Sequence, residues 1–256
     1  MTIVNDTQKV ALVEAGKRLA NVLVALREAA KPGVSTEALD DLAEKLIRDG
    51  GDTPAFLGYT PEGSARPYPA TLCVSINDEI VHGIPNEVPK TLKQGDIVGL
   101  DLGLVHEGII VDAAITVYVG GEPDEKTKKL LYATENALAA GIEAAQPGGH
   151  VGDIGHAIQG VIEDAGFTVV KPLGGHGVGD HVHEEPFVPN YGKPGDGEEL
   201  VPGMVLALEP ISSEGKGAVV LAPDGYTYRT KDGSRSAHFE HTILITEGGP
   251  LVVTKA

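Results

Sequence analysis

Leu12, Ala15, Leu19, Val22, Leu23 and Leu26 recur at three- and four-residue spacings, the pattern of one buried helical face. Pro32-Gly33 must end that helix. Ser35 is a favourable N-cap with Glu37 in the turn behind it, so a second helix follows, striped by Leu39, Leu42 and Leu46 and stopped by Gly50-Gly51. The period then changes. Residues 71–81 contain LCVSINDEIV, residues 96–105 read DIVGLDLGLV and residues 109–119 read IIVDAAITVYV, apolar and β-branched runs bounded by turn residues. The last two, joined through His106-Glu107-Gly108, predict a hairpin.

The helical pattern then restarts. Pro123-Asp124-Glu125 opens a helix with an acidic first turn, carrying Leu131, Leu138 and Ile142 and ending before Pro147-Gly148. Another carries Ile154, Ala157, Val161 and Ile162 and stops near Gly166, and strand-like runs at MVLALEP, AVVLAP and HFEHTILIT follow. A shift of 115 residues lays Pro32-Gly33 on Pro147-Gly148, Leu39 on Ile154, Ile47 on Ile162, Asp49 on Asp164 and Gly51 on Gly166. Each half reads helix, helix, strands. A single α+β domain over residues 1–256 is expected, with pseudo-repeats at about 8–120 and 123–250 and a site between them. Pro-Gly pairs and glycine stops are common helix punctuation, so chance alignment is the competing reading.

Composition narrows the chemistry. Thirty-seven acidic against 20 basic side chains give a formal charge of −17, which repels nucleic-acid phosphates and anionic membranes and leaves carboxylates free for metal. No apolar run reaches the ~18 residues of a membrane span, and MTIVNDTQKV lacks a secretory layout. The single Cys73 excludes an internal disulfide and fits a reducing cytoplasm. In its apolar run it reads as a packing residue rather than a nucleophile.

Most carboxylates cover solvated faces; the informative ones interrupt apolar strands. Asp101 lies in VGLDLGLV and Asp112 in IIVDAAI. A two-residue His106-Glu107 loop would place them directly opposite each other; a three-residue loop ending on Gly108 moves the pairing by one. Two adjacent carboxylates in an apolar strand pair require protons, a basic partner or a cation, unless one faces solvent at the sheet edge. Glu209, ending MVLALEP, and Glu240, in HFEHTILIT, repeat the theme. Seven of nine histidines lie between residues 150 and 241, most densely in GGHGVGDHVHEEP, where His181 and His183 would share a face if the segment is a strand. HEEPF is not the helical HExxH zinc motif, because Phe187 takes the second histidine position and Pro186 would break the helix. Glu184 and Glu185 read as a solvated pair. Carboxylates with about one imidazole suit Mn, Fe, Co or Zn rather than a thiolate site. No GxSxG, Walker loop or dinucleotide-binding GxGxxG is present.

Five ordered motifs, SINDEIVHGIP, GLDLGLVHEGIIVDAAIT, GHGVGDHVHEEP, LALEP and FEHTILIT, give the chain a specific resemblance to type I methionine aminopeptidases from about Leu12 to Val253. The resemblance implies the pita-bread fold, an antiparallel sheet covered by helices with pseudo-two-fold symmetry. It implies two divalent cations (Co, Mn, Fe, Zn or Ni) held by Asp101, Asp112, His176, Glu209 and Glu240. Asp112 and Glu240 would bridge, Asp101 would chelate one ion, and His176 and Glu209 would complete the other. Glu209 would also carry the proton, His82 and His183 would meet the substrate, and Tyr59 and Cys73 would line its pocket. It further implies a cytoplasmic monomer trimming the N-terminal methionine of nascent polypeptides, with the ribosome as a partner. The stretch from Tyr59 to Cys73 is longer than the family's usual one, Tyr226 stands where tryptophan is common and Val182 where an aromatic is common. These departures bear on the methionine pocket, not on the ligand set. An Xaa-Pro peptidase of the same fold is the competing enzyme, although such enzymes usually carry an extra N-terminal domain. A non-catalytic binding module on this fold is the competing class, although such relatives have typically lost ligands.

Overall fold

The computed structural model describes residues 2–3 and 5–255. Four helices cover one curved sheet. α1 (Asp6–Ala29) starts at Asn5, whose side chain accepts from Gln8 N, and α2 (Thr36–Asp49) starts at Ser35, whose hydroxyl accepts from Ala38 N. α3 (Glu125–Ala144) is capped by Asp124 on Thr127 N. α4 (Val151–Asp164) is capped by a reciprocal pair between His150 and Asp153. Each cap satisfies amide groups that a helix start leaves open. α2 displaced by 115 positions coincides with α4, and the last residues of α1 and α3 are the same distance apart.

The central sheet has nine strands: β1 (Thr53–Pro54), β2 (Cys73–Ile76), β3 (Ile97–His106), β4 (Ile109–Tyr118), β5 (Gly174–Gly177), β6 (Glu184–Pro189), β7 (Val205–Leu208), β8 (Glu240–Thr246) and β9 (Gly249–Val252). Their order is β1-β3-β4-β8-β7-β5-β6, with β2 on β3 and β9 on β8, all antiparallel. The two middle strands, β4 and β8, come from opposite halves of the chain. One apolar cluster joins α1 and α2 to β2, β3 and β4; a second joins α3 and α4 to β7 and β8. Fit is close enough that a Cβ on Gly16 of α1 would stand 2.2 Å from the Val253 carbonyl oxygen, so only glycine lets the C-terminal segment cross there.

Three expectations need correction. The run at 71–81 is two strands, β2 and Glu79–Val81, because Asn77 turns the chain at φ 59°, a conformation asparagine tolerates, and its side chain bonds Asp96 and the Ile97 amide. The α3 stripe is centred on Leu130, Ala137, Leu138 and Gly141, with Leu131 and Ile142 at its margins. The hairpin loop is Glu107-Gly108, both at positive φ, and His106 pairs with Ile109. Glycine in the second loop position makes this tight turn favourable. Asp101 therefore pairs with Ala114 and Asp112 with Gly103. The two carboxylates are diagonal neighbours on one face, not directly opposed.

Candidate metal centre and its pocket

The carboxylates meet where the two halves join. Asp101 sits mid-way along β3 opposite Cys73 of β2, and Asp112 lies next door on β4. Glu240 begins β8 opposite Ala114, His176 lies in β5 opposite Ala207, and Glu209 directly follows β7. All five line one pocket with His82, His183, Tyr59 and Cys73. Every sequence-predicted site residue is thus in one place. Asp112, His176 and Glu240 each present a donor atom within 4.8 Å of the other two.

These groups are buried without compensation. Among the described residues seven buried side-chain atoms lack a hydrogen-bond partner, and four are here: Asp101 Oδ1, Asp112 Oδ1, Glu240 Oε1 and His238 Nε2. Among the described residues no lysine or arginine lines the pocket. Burial pushes the Asp112 carboxyl up to about 8, with the Glu209 charge adding to it. Burial alone pushes Glu209 up to about 8. Asp101 and Glu240 are held well above the carboxylate range by burial and then by the charge of Asp112. His176 goes the other way, to about 3, chiefly through burial. Its Nδ1 donates to the Gly177 carbonyl at 2.9 Å, so Nε2 keeps a free lone pair 3.6 Å from Glu209 Oε1. Oxygen donors that ionise only at a cost and one oriented imidazole fit a divalent cation, which would supply the missing positive charge.

His82 has φ 59°, a left-handed backbone that is strained for a non-glycine residue and aims its ring into the pocket. Gly83 behind it permits this, since a Cβ there would stand 2.3 Å from the Val74 carbonyl oxygen. Burial lowers His82 to about 3, keeping it neutral. His183 lies in the loop before β6, not on a strand, so HVH gives no shared face. Its Nδ1 meets the Tyr59 hydroxyl at 3.1 Å, and its ring stands edge-on to His176 at 4.5 Å between centroids. His181 is exposed, and Glu184 accepts the amides of Asp180 and His181 at 2.7 Å, bracing this loop rather than standing as a merely solvated group.

The rest of the pocket is apolar: Phe56, Pro61, Tyr68, Cys73, Val182 and Tyr226. Burial pushes the Cys73 thiol well up, so it stays protonated and packs, as its sequence context implies. Tyr68 donates to the Leu72 and Gly83 carbonyls, and Tyr226 donates to the Arg66 carbonyl. Phe56, Pro61 and His238 were not singled out from the sequence as site residues. For His238 a signal existed: it stands two residues before Glu240.

The chain matches the model of metallopeptidase family M24 over residues 11–247. It is 48% identical over 246 residues to a methionine aminopeptidase of Aquifex aeolicus, covering 94% of each chain. The crystal structure of a methionine aminopeptidase from Thermotoga maritima superposes with a TM-score of 0.94 at 43% identity, covering 100% of both chains. A prolidase from Pyrococcus furiosus, at 22% identity, TM-score 0.74 and 66% of its own length, shares the fold alone. This chain belongs to metallopeptidase family M24, among the methionine aminopeptidases.

Proposed function

We propose that this protein removes the N-terminal methionine of nascent polypeptides whose second residue is small, in the cytoplasm, using two divalent cations. The observation that supports this best is the pocket's division: four buried carboxylates and an oriented histidine at one end, a methionine-compatible apolar wall at the other. Asp101, Asp112, His176, Glu209 and Glu240 would hold the cations. When bound, the cations supply positive charge that lets a water ionise near neutrality and that receives a free amine.

The remaining roles fall to side chains. Glu209 takes the proton of the attacking water and delivers it to the leaving amine. With the Tyr59 hydroxyl donating to Nδ1 of His183, the other ring nitrogen carries hydrogen and donates to the oxygen that becomes negative in the transition state. His82, kept neutral by burial, offers a second donor to the substrate amide. Phe56, Tyr59, Tyr68, Cys73 and Tyr226 receive the methionine side chain.

The test is turnover of Met-Ala-Ser and of an Ala-Pro peptide by protein loaded with Mn(II) or Co(II). Cleavage of the first with release of free methionine is expected. Faster cleavage of Ala-Pro would replace this reading with the Xaa-Pro one. Metal binding without turnover of either would favour a binding module.

A further inference from the structure

His238 has no part in the ligand set above, yet it is aimed at it. The residue is 3% exposed and ends the short strand Ser236–His238, paired to Ile211–Ser213. Its backbone is fixed twice by Thr116 of β4: the His238 amide donates to Thr116 Oγ1 at 2.9 Å, and that hydroxyl donates to the His238 carbonyl at 2.6 Å. The backbone that carries the ring is therefore held against β4. Its Nε2 lies 3.4 Å from Glu209 Oε2 and 3.8 Å from Glu240 Oε2, and has no hydrogen-bond partner among the described residues.

Glu209 is thereby divided between two histidines. Oε1 faces His176 Nε2 at 3.6 Å and Oε2 faces His238 Nε2 at 3.4 Å. Among the described residues no side chain makes a formed hydrogen bond to Oε2. His176 Nδ1 is committed to Gly177, the Asn190 amide donates to the Glu209 backbone carbonyl rather than its carboxylate, and no lysine or arginine among the described residues lines the pocket. The separation exceeds the 2.7–3.2 Å of a formed N–H···O bond, and such bonds at reactive sites commonly tighten only on loading. We propose that His238 is a positioning residue of the metal centre, whose Nε2–H holds Glu209 Oε2 so that Oε1 stays turned toward His176 and the cation they share. This rests on the ligand reading of His176, Glu209 and Glu240 given above. Partners of this kind fix the orientation and basicity of a metal ligand without touching the ion.

The experiment is titration of chelator-stripped protein with Co(II), followed calorimetrically and by visible absorption, for wild type and for His238→Gln, His238→Asn and His238→Leu. Glutamine keeps an N–H donor at similar reach, asparagine withdraws it and leucine removes it. Asn and Leu are expected to lose on the order of 10–100-fold in affinity for one Co(II), with an altered absorption band for that ion, while Gln stays within ~3-fold of wild type. On Met-Ala-Ser the loss should be restored by saturating Co(II). Wild-type Co(II) binding by Asn, or by Leu where it folds, overturns the proposal. So does a Gln variant as weak as Asn with a shifted band, since the ring nitrogen would then be a ligand itself. The titration involves no peptide. A wild-type protein that binds Co(II) yet leaves Met-Ala-Ser intact would sink the peptidase reading and leave the role of His238 standing.

Discussion

The two ends of the pocket differ in how their polar atoms are satisfied. At the aromatic end every hydroxyl has a partner: Tyr59 meets His183, Tyr68 donates to two carbonyls and Tyr226 to a third. At the acidic end Asp101, Asp112 and Glu240 each keep a buried oxygen without one. A satisfied wall works by shape and is complete in the protein alone. An unsatisfied one is complete only when something else arrives, because buried unpaired carboxylates destabilise the fold. The contrast sorts substitutions into those that change what the site holds and those that change only how well the substrate fits.

The largest effect is expected at the acidic end. Asp112→Ala or Glu240→Ala should bind fewer metal ions per chain, shown by elemental analysis. Loss of several kcal/mol of charge stabilisation should lower turnover by ~10³-fold or more. The same variants should be more stable than wild type when both are metal-free at pH 8, since one of four mutually repelling carboxylates is gone. A gain of about 1 kcal/mol corresponds to ~2–4 °C in Tm for a chain of this size. A variant with two ions and normal turnover removes that residue from the centre.

His183 stands between the two ends and should separate binding from chemistry. His183→Ala is expected to keep its metals and to lose on the order of 10²–10³ in kcat, the usual result of deleting a donor to a developing negative charge. If metal content falls in step with kcat, the residue is a ligand.

The acidic end also predicts how pH and metal act together. Burial pushes the Asp112 and Glu209 carboxyls up to about 8, far above the ordinary carboxylate range, and Asp101 and Glu240 are displaced in the same direction. The folded state then holds more protons than the unfolded state between the ordinary carboxylate range and about 8. Stability of the metal-free protein must fall as pH rises through that window. Metal replaces the protons, and at 100 times its Kd it adds about 2.7 kcal/mol. Thermal scans should show Mn(II) raising Tm strongly at pH 8 and little at pH 5. An equal shift at both values would mean that the carboxylates are not the binding groups.

The acidic end was also the legible end. A charged residue inside an apolar strand is conspicuous in a linear sequence, so Asp101, Asp112, Glu209 and Glu240 stand out, and the helix pairs follow from their caps and glycine stops. Hairpin register was less legible. Whether Gly108 closes the loop or begins the next strand moves the pairing, and only the shared face of Asp101 and Asp112 survives that error. Least legible were groups whose role depends on distant contacts. His238 is one histidine among nine until Thr116, 122 residues away, fixes its backbone beside Glu209. Tyr226 is legible as a departure from the common tryptophan, but its partners are not until the loop carrying Arg66 closes over it.

That closure supports the smallest expected effect. The Tyr226 hydroxyl donates to the Arg66 carbonyl, its ring meets Tyr68 edge-on at 5.1 Å, and the Arg66 guanidinium lies 5.7 Å from its centroid while bonding Glu87. Tyr226→Phe keeps the ring and loses one hydrogen bond, worth about 0.5–1.5 kcal/mol. The wall loosens, but neither the carboxylates nor His183 is touched. Binding of substrate and of transition state should therefore weaken alike, raising KM by ~2–10-fold with kcat unchanged. Because the change lies beside the methionine side chain, Met-Ala-Ser and Met-Val-Ser should lose equally. Steady-state kinetics on both peptides decides it. A fall in kcat at constant KM would mean that the aromatic wall and the acidic floor act as one unit, and the division drawn between them would fail.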